Sequence, residues 1–274
     1  MSLAAITTLR RQLHEWTARP ANAKFLQADQ ELALRAALDD PARATQRNVA
    51  AWMLGTWHCG RGMFRVLEGE AEGFDEARFG QALRRCSLLL RERHQGPMQR
   101  RTGGKGLPFS RLHGAWTALL GLTLQDPGAE PLYELLRHEP ESTFTETDAL
   151  PLFVHELLTL RAGERPTVTP RLGPYQDVLV HWDAGGRLLA QALTELLNIH
   201  LEGTRGAGAP FDDPPCRLYP IEVLAVRQVR EWLDLPMPKV DHPLMHTNLA
   251  TMAPVHAWPQ HELVARLERQ LQRR

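Results

Sequence analysis

The sequence predicts an all-α protein, a single irregular domain of about ten helices. Three observations predict it. Apolar residues recur at helical spacing through most long segments. Capping and proline signals stand at segment starts. Alternating strand patterns are nearly absent, and the one short extended candidate, residues 166–172 ("PTVTPRL"), carries prolines that make it a loop.

The elements follow in chain order. Over residues 42–68, Val49, Met53, Trp57, Phe64 and Leu67 form a stripe, and Asp40-Pro41 supplies an N-cap and a first-turn proline. Gly55, Gly60 and Gly62 interrupt that stripe and mark either close helix packing or a break. Residues 75–94 place Phe79, Leu83, Cys86 and Leu90 on one face, with Gly96-Pro97 as the expected stop. Further helices are expected over 110–124, 126–138 (Asp126-Pro127 repeating the cap signal) and 148–162. A C-terminal group follows over 175–182, 187–201, 220–233 and 259–271. In the last of these, Leu263, Leu267 and Leu271 recur every fourth residue. The whole chain, 1–274, reads as one helical domain. The Gly/Pro-rich stretch 97–108 offers one candidate subdivision, into 1–97 and 108–274. Helix pairs in a HEAT-like arrangement are a compatible architecture, although no repeat period is found.

Composition narrows the function. Lysine plus arginine and aspartate plus glutamate number 32 each, so the chain is neutral overall. A general nucleic-acid binder needs a basic surplus to neutralise phosphates, which argues against that class. Cys59, Cys86 and Cys216 are far apart in sequence, with no CxxC pair, so neither a zinc knuckle nor a disulfide framework is expected. The N-terminal segment lacks the pattern of a signal peptide, and no apolar stretch is long enough to span a bilayer. A cytoplasmic setting is the expectation.

Candidate chemistry rests on histidine and acid. "VHWDAGG" holds His181 and Asp183, "NIHLEGT" holds His200 and Glu202, and "KVDHPLMHT" holds Asp241, His242 and His246. Imidazole and carboxylate could assemble a metal site, but the spacing matches no metal template. His155-Glu156 begins an HExxH, yet Thr159 stands where the second histidine is required. "TGGKGLP", residues 102–108, lacks the order of a phosphate-binding loop and reads as a basic surface loop. No cofactor or metal is expected. Charge segregation is more informative. From Arg84 to Lys105 there are seven bases and one acid; from Asp126 to Asp148 there are seven acids and one base. Asp126, Glu130, Glu134, Glu139 and Glu141 are therefore candidate contacts for a basic partner. Against this stands the plain alternative that the acids pair with arginines of the same chain.

Four segments of the C-terminal third occur in a distinctive order: "YQDVLVHWD", "LAQALTELLNIHLEGT", "LYPIEVLAVRQVREWLDLPMP" and "DHPLMHTNL". This order resembles the bacterial immunity proteins of polymorphic toxin systems, in particular the immunity protein 49 family. The resemblance covers residues of about 174–250 and rests on His181, Trp182, Asp183, His200, Pro220, Glu222 and Asp241 to Leu244. It implies a non-enzymatic cytoplasmic antitoxin that binds a cognate protein toxin and occludes its active site. A basic, nuclease-like toxin would suit the acidic segment. The resemblance implies no catalytic residue, and the oligomeric state stays open. By their own chemistry the signature residues read as structural: Pro220 in a first helical turn, Glu222 at the positive helix end, and Asp241 as an N-cap before Pro243. Two rivals remain: a metal-dependent enzyme using His181, Asp183, His200, Asp241, His242 or His246, and a helical scaffold unrelated to toxins.

Overall fold

A computed structural model describes residues 3–104, 106–183, 186–205, 209–254 and 258–272. Lys105 of the "TGGKGLP" loop and Gly185 of the "VHWDAGG" segment lie outside them. Among the described residues the regular structure is helical, with no strand. The α-helices are α1 (Leu3–Ala18), α2 (Pro20–Asn22), α3 (Asp29–Leu38), α4 (Ala44–Leu67), α5 (Gly73–Arg101), α6 (Arg111–Leu124), α7 (Glu130–Arg137), α8 (Ala149–Arg161), α9 (Gln176–Val180), α10 (Gly186–Glu202), α11 (Ile221–Trp232) and α12 (Glu262–Gln272). A π-helical segment, Ala23–Ala28, joins α2 to α3, and short 3₁₀ segments fill several connections. Among the described residues no helix is long and apolar enough to cross a membrane.

The glycines of α4 mark close packing. Gly55 lies against Gly80, and Gly62 against Gly73, which sets α4 and α5 antiparallel. A Cβ on Gly62 would sit 2.5 Å from the Gly73 carbonyl oxygen, so the two backbones touch where no side chain fits. Gly60 makes room instead for the Trp16 ring of α1. The buried face of α4 includes Ala51, Leu54, Trp57, Met63 and Val66, while Val49 of the expected stripe is 52% exposed.

Three further expectations are corrected. The helix expected to stop at Gly96-Pro97 continues to Arg101. Proline disfavours helix in the residue before it partly through that residue's Cβ, and Gly96 has none. Asp126 starts a turn and not a helix: its Oδ1 accepts the Gly128 N–H at 2.9 Å, and α7 begins at Glu130. Helical spacing from Ile221 through Val229 would turn Trp232 towards the core, yet at the end of α11 it is 45% exposed.

Helix α6 is buried from Gly114 to Leu124 and forms the centre of the main core, packed on α5, α8 and α11. A helix that is apolar on all sides belongs in an interior. The main core runs from Leu9 to Ala253. A second cluster joins α3, α4, α5 and α12, so the C-terminal helix returns to the N-terminal ones. The stretch 97–108 therefore separates no two independent cores.

Buried arginines of α5 tie distant loops to this frame. Arg84, fully buried, donates to Asp213 at 2.6 Å and lies over the Trp52 ring at 4.3 Å. Arg85 donates to Asp126 and Glu268, both at 2.8 Å. Arg78 reaches the carbonyls of Leu124 and Pro254.

Candidate functional site

The second and third segments that carry the resemblance meet at one buried pair. His200 stands in the last turn of α10, and Glu222 in the first turn of α11. Both are fully buried, and His200 Nδ1 donates to Glu222 Oε2 at 2.8 Å. His200 Nε2 faces the Arg217 carbonyl oxygen at 3.2 Å, and the ring stacks on Phe211 at 4.1 Å. Both ring nitrogens thus meet oxygen acceptors, and the ring's orientation is locked. Glu222 serves a buried pair, beyond the dipole role expected of it.

The other signature residues have local structural tasks. Trp182 is buried, its carbonyl accepts from Arg230 Nη1, and its ring lies 5.2 Å from the same guanidinium. His181 is partly buried and closes α9 through its backbone N–H, while Asp183 is exposed. The expected cap at Asp241 falls one residue later. His242 is the N-cap of the 3₁₀ turn Pro243–His246, its Nδ1 accepting the Leu244 N–H at 3.2 Å. Burial lowers the pKa of His242. With Nδ1 accepting, the ring's proton sits on Nε2, which is buried and has no hydrogen-bond partner among the described residues. Asp241 is 82% exposed at its side chain and pairs on the surface with His246 at 3.0 Å. Among the described residues no group of three or more His, Cys, Asp or Glu is arranged to hold a metal ion.

The acidic segment is largely answered from within. Asp126 and Glu139 are buried and paired with Arg85 and Arg111 at 2.8 and 2.7 Å, which withdraws both from any surface contact. Glu130 is held by both Nη atoms of Arg161. Glu134 pairs with Arg137 at 2.8 Å. Glu141 stays exposed, with its carbonyl accepting from Arg171. The charge run was visible in the sequence; the arginines that pair with it lie up to 41 residues away and were not.

Sequence reasoning missed the cleft beside the His200–Glu222 pair. It has a volume of about 510 Å³ and lies between the start of α8, the 3₁₀ segment Pro170–Tyr175 and the end of α10. Tyr175 and Phe211 contribute rings to it, Leu150 and Ile199 its walls, and Asp148 and Glu202 its carboxylates. Tyr175 stacks on Phe153 at 4.6 Å, so each ring is backed by a second one. Tyr175 belongs to the first resemblance segment, and Ile199, Glu202 and Gly203 to the second. Glu222, from the third, holds the ring behind Phe211. Such a cleft, mostly apolar with few polar groups, has the make-up of a recognition site.

Comparison with family models, with curated proteins and with solved structures gives no match.

Proposed function

We propose that this chain is an immunity protein that neutralises a cognate secreted bacterial toxin by binding it and covering its active site, without chemistry of its own. The reading begins with the four C-terminal segments and their resemblance to the immunity protein 49 family. The observation that carries it furthest is the placement of their signature residues. His200, Glu222, Trp182 and His242 are buried and occupied with packing, capping and hydrogen bonding. Residues of that kind mark a fold. The surface beside them offers a cleft with acids at its edge, which suits binding to a basic protein.

The mechanism is association. A stable interface buries above ~1,000 Å² in total, far more than one cleft supplies, so neighbouring surface takes part. A few rigid aromatic or arginine anchors contribute most of the affinity in such contacts. Neutralisation acts in the cytoplasm of the producing cell and needs no cofactor. Co-expression with the toxin-like product of an adjacent gene tests the reading. Growth is restored and the two proteins co-purify if it holds. Persistent toxicity beside a soluble, folded chain contradicts it.

A further inference from the structure

We infer that the cleft at the end of α10 binds a partner segment in which an arginine or lysine stands next to a bulky apolar residue. The inference rests on the antitoxin reading for the partner's identity alone; the binding chemistry stands on the cleft.

The charge comes first. Glu202 is the last residue of α10, where the helix carbonyls already make the potential negative. An acid is disfavoured there unless a cation joins it. The Glu202 carboxylate is exposed and takes part in no ion pair or side-chain hydrogen bond among the described residues. Asp148, from the start of α8, presents Oδ2 to the Thr145 N–H and hydroxyl at 2.8 Å and to Arg111 at 3.5 Å. Its Oδ1 takes part in no such bond among the described residues. Two carboxylates on two elements thus border one opening, where Arg111 pairs with Asp148 and the Arg205 backbone N–H donates to the Glu202 carbonyl at 3.1 Å.

The interior supplies the second requirement. Phe211 and Tyr175 are almost wholly buried, and each is stacked on a further ring, so neither has to be ordered on binding. Pro151 and Pro174 stiffen the walls. The volume falls in the ~300–1,000 Å³ range of sites that accept several side chains or a small organic molecule. An arginine or lysine lays its methylene stem on apolar surface and keeps its charged head at the rim. A neighbouring aromatic or aliphatic residue then fills the floor.

The test uses the full chain and three probes: acetyl-Trp-Arg-amide, acetyl-Trp-Glu-amide and benzylamine. Binding is followed by amide chemical shifts in two-dimensional NMR. The arginine peptide should shift the Thr147, Ile199 and Gly203 amides and bind more tightly than either other probe. Glu202→Gln, an exposed substitution that leaves the fold intact, should weaken it about fivefold. Ile199→Trp, with its melting temperature checked, should fill the cleft and abolish the shifts. Equal binding of the two peptides, benzylamine binding as tightly as the arginine peptide, or shifts confined to other residues would overturn the inference. Because no toxin is present, these outcomes are independent of the co-expression result.

Discussion

His200 Nδ1 lies 2.8 Å from Glu222 Oε2 with neither side chain exposed to solvent. A buried pair of this kind is costly to break from one side, because the surviving partner keeps its desolvation penalty. His200→Ala or Glu222→Ala should each destabilise the protein by about 3–5 kcal/mol, measured by urea unfolding. The double substitution should cost clearly less than the two single losses together. Additive losses would mean that the two side chains do not act as a pair.

Helix contact through glycine gives a second test. A Cβ on Gly80 would meet the Cys59 nitrogen at 2.5 Å and the Gly55 oxygen at 2.6 Å. Gly80→Ala should cost at least about 2 kcal/mol, because backbone has to move. Gly163 has φ +78° and nothing within 4 Å of the added carbon, so Gly163→Ala should cost only about 1–2 kcal/mol from its left-handed conformation. Unfolding midpoints of the two variants give the comparison. An ordinary, well-tolerated Gly80→Ala would place α4 and α5 further apart.

These two features show where the sequence was legible. Helical stripes and caps are local, so α4, α5, α6 and α8 could be located from spacing alone. Asp40 does cap the turn before α4, accepting the Ala42 N–H at 2.9 Å. Helices α1 and α3 are harder to see, because α1 buries only Leu9 and Leu13 of its residues and α3 only Leu34, Ala37 and Leu38. The candidate site is less legible still. His200 and Glu222 are 22 residues apart, and Arg84 and Asp213 are 129 apart, so neither pair has a spacing to read. The cleft depends on Tyr175, Ile199 and Phe211, ordinary apolar residues that acquire a role only through packing.

The thiols should be silent in the folded protein. Cys59, Cys86 and Cys216 are buried. Burial pushes the first two up to about 12 and raises Cys216 well above its usual value. Only thiolate reacts at an appreciable rate. A chromogenic disulfide reagent at pH 8 should therefore titrate no thiol before denaturant is added and all three afterwards. Rapid reaction of the native protein would contradict the packing around α4 and α5.

Acid should weaken the fold through His113. Burial, followed by the charge of Arg84, lowers its pKa from 6.5 to about 4. The unfolded chain then binds the proton more readily than the folded one between those values. The contribution is fully present above pH 6.5 and is lost as the pH falls towards 4. His94, His242 and His261 are also lowered, chiefly by burial, and act in the same sense. His113→Gln should flatten the decline in unfolding free energy between pH 6.5 and 4 relative to the unsubstituted chain. An unchanged slope would show that His113 titrates normally.

The most direct measurement of the functional claim is a titration of the purified neighbouring toxin with the purified chain, following toxin activity and complex mass together. Binding without chemistry predicts that inhibition is complete at a fixed, whole-number equivalence and that a complex of the matching mass appears by light scattering. Inhibition by a small fraction of an equivalent would reveal an enzyme, and no complex with an active, folded toxin would remove the antitoxin reading altogether.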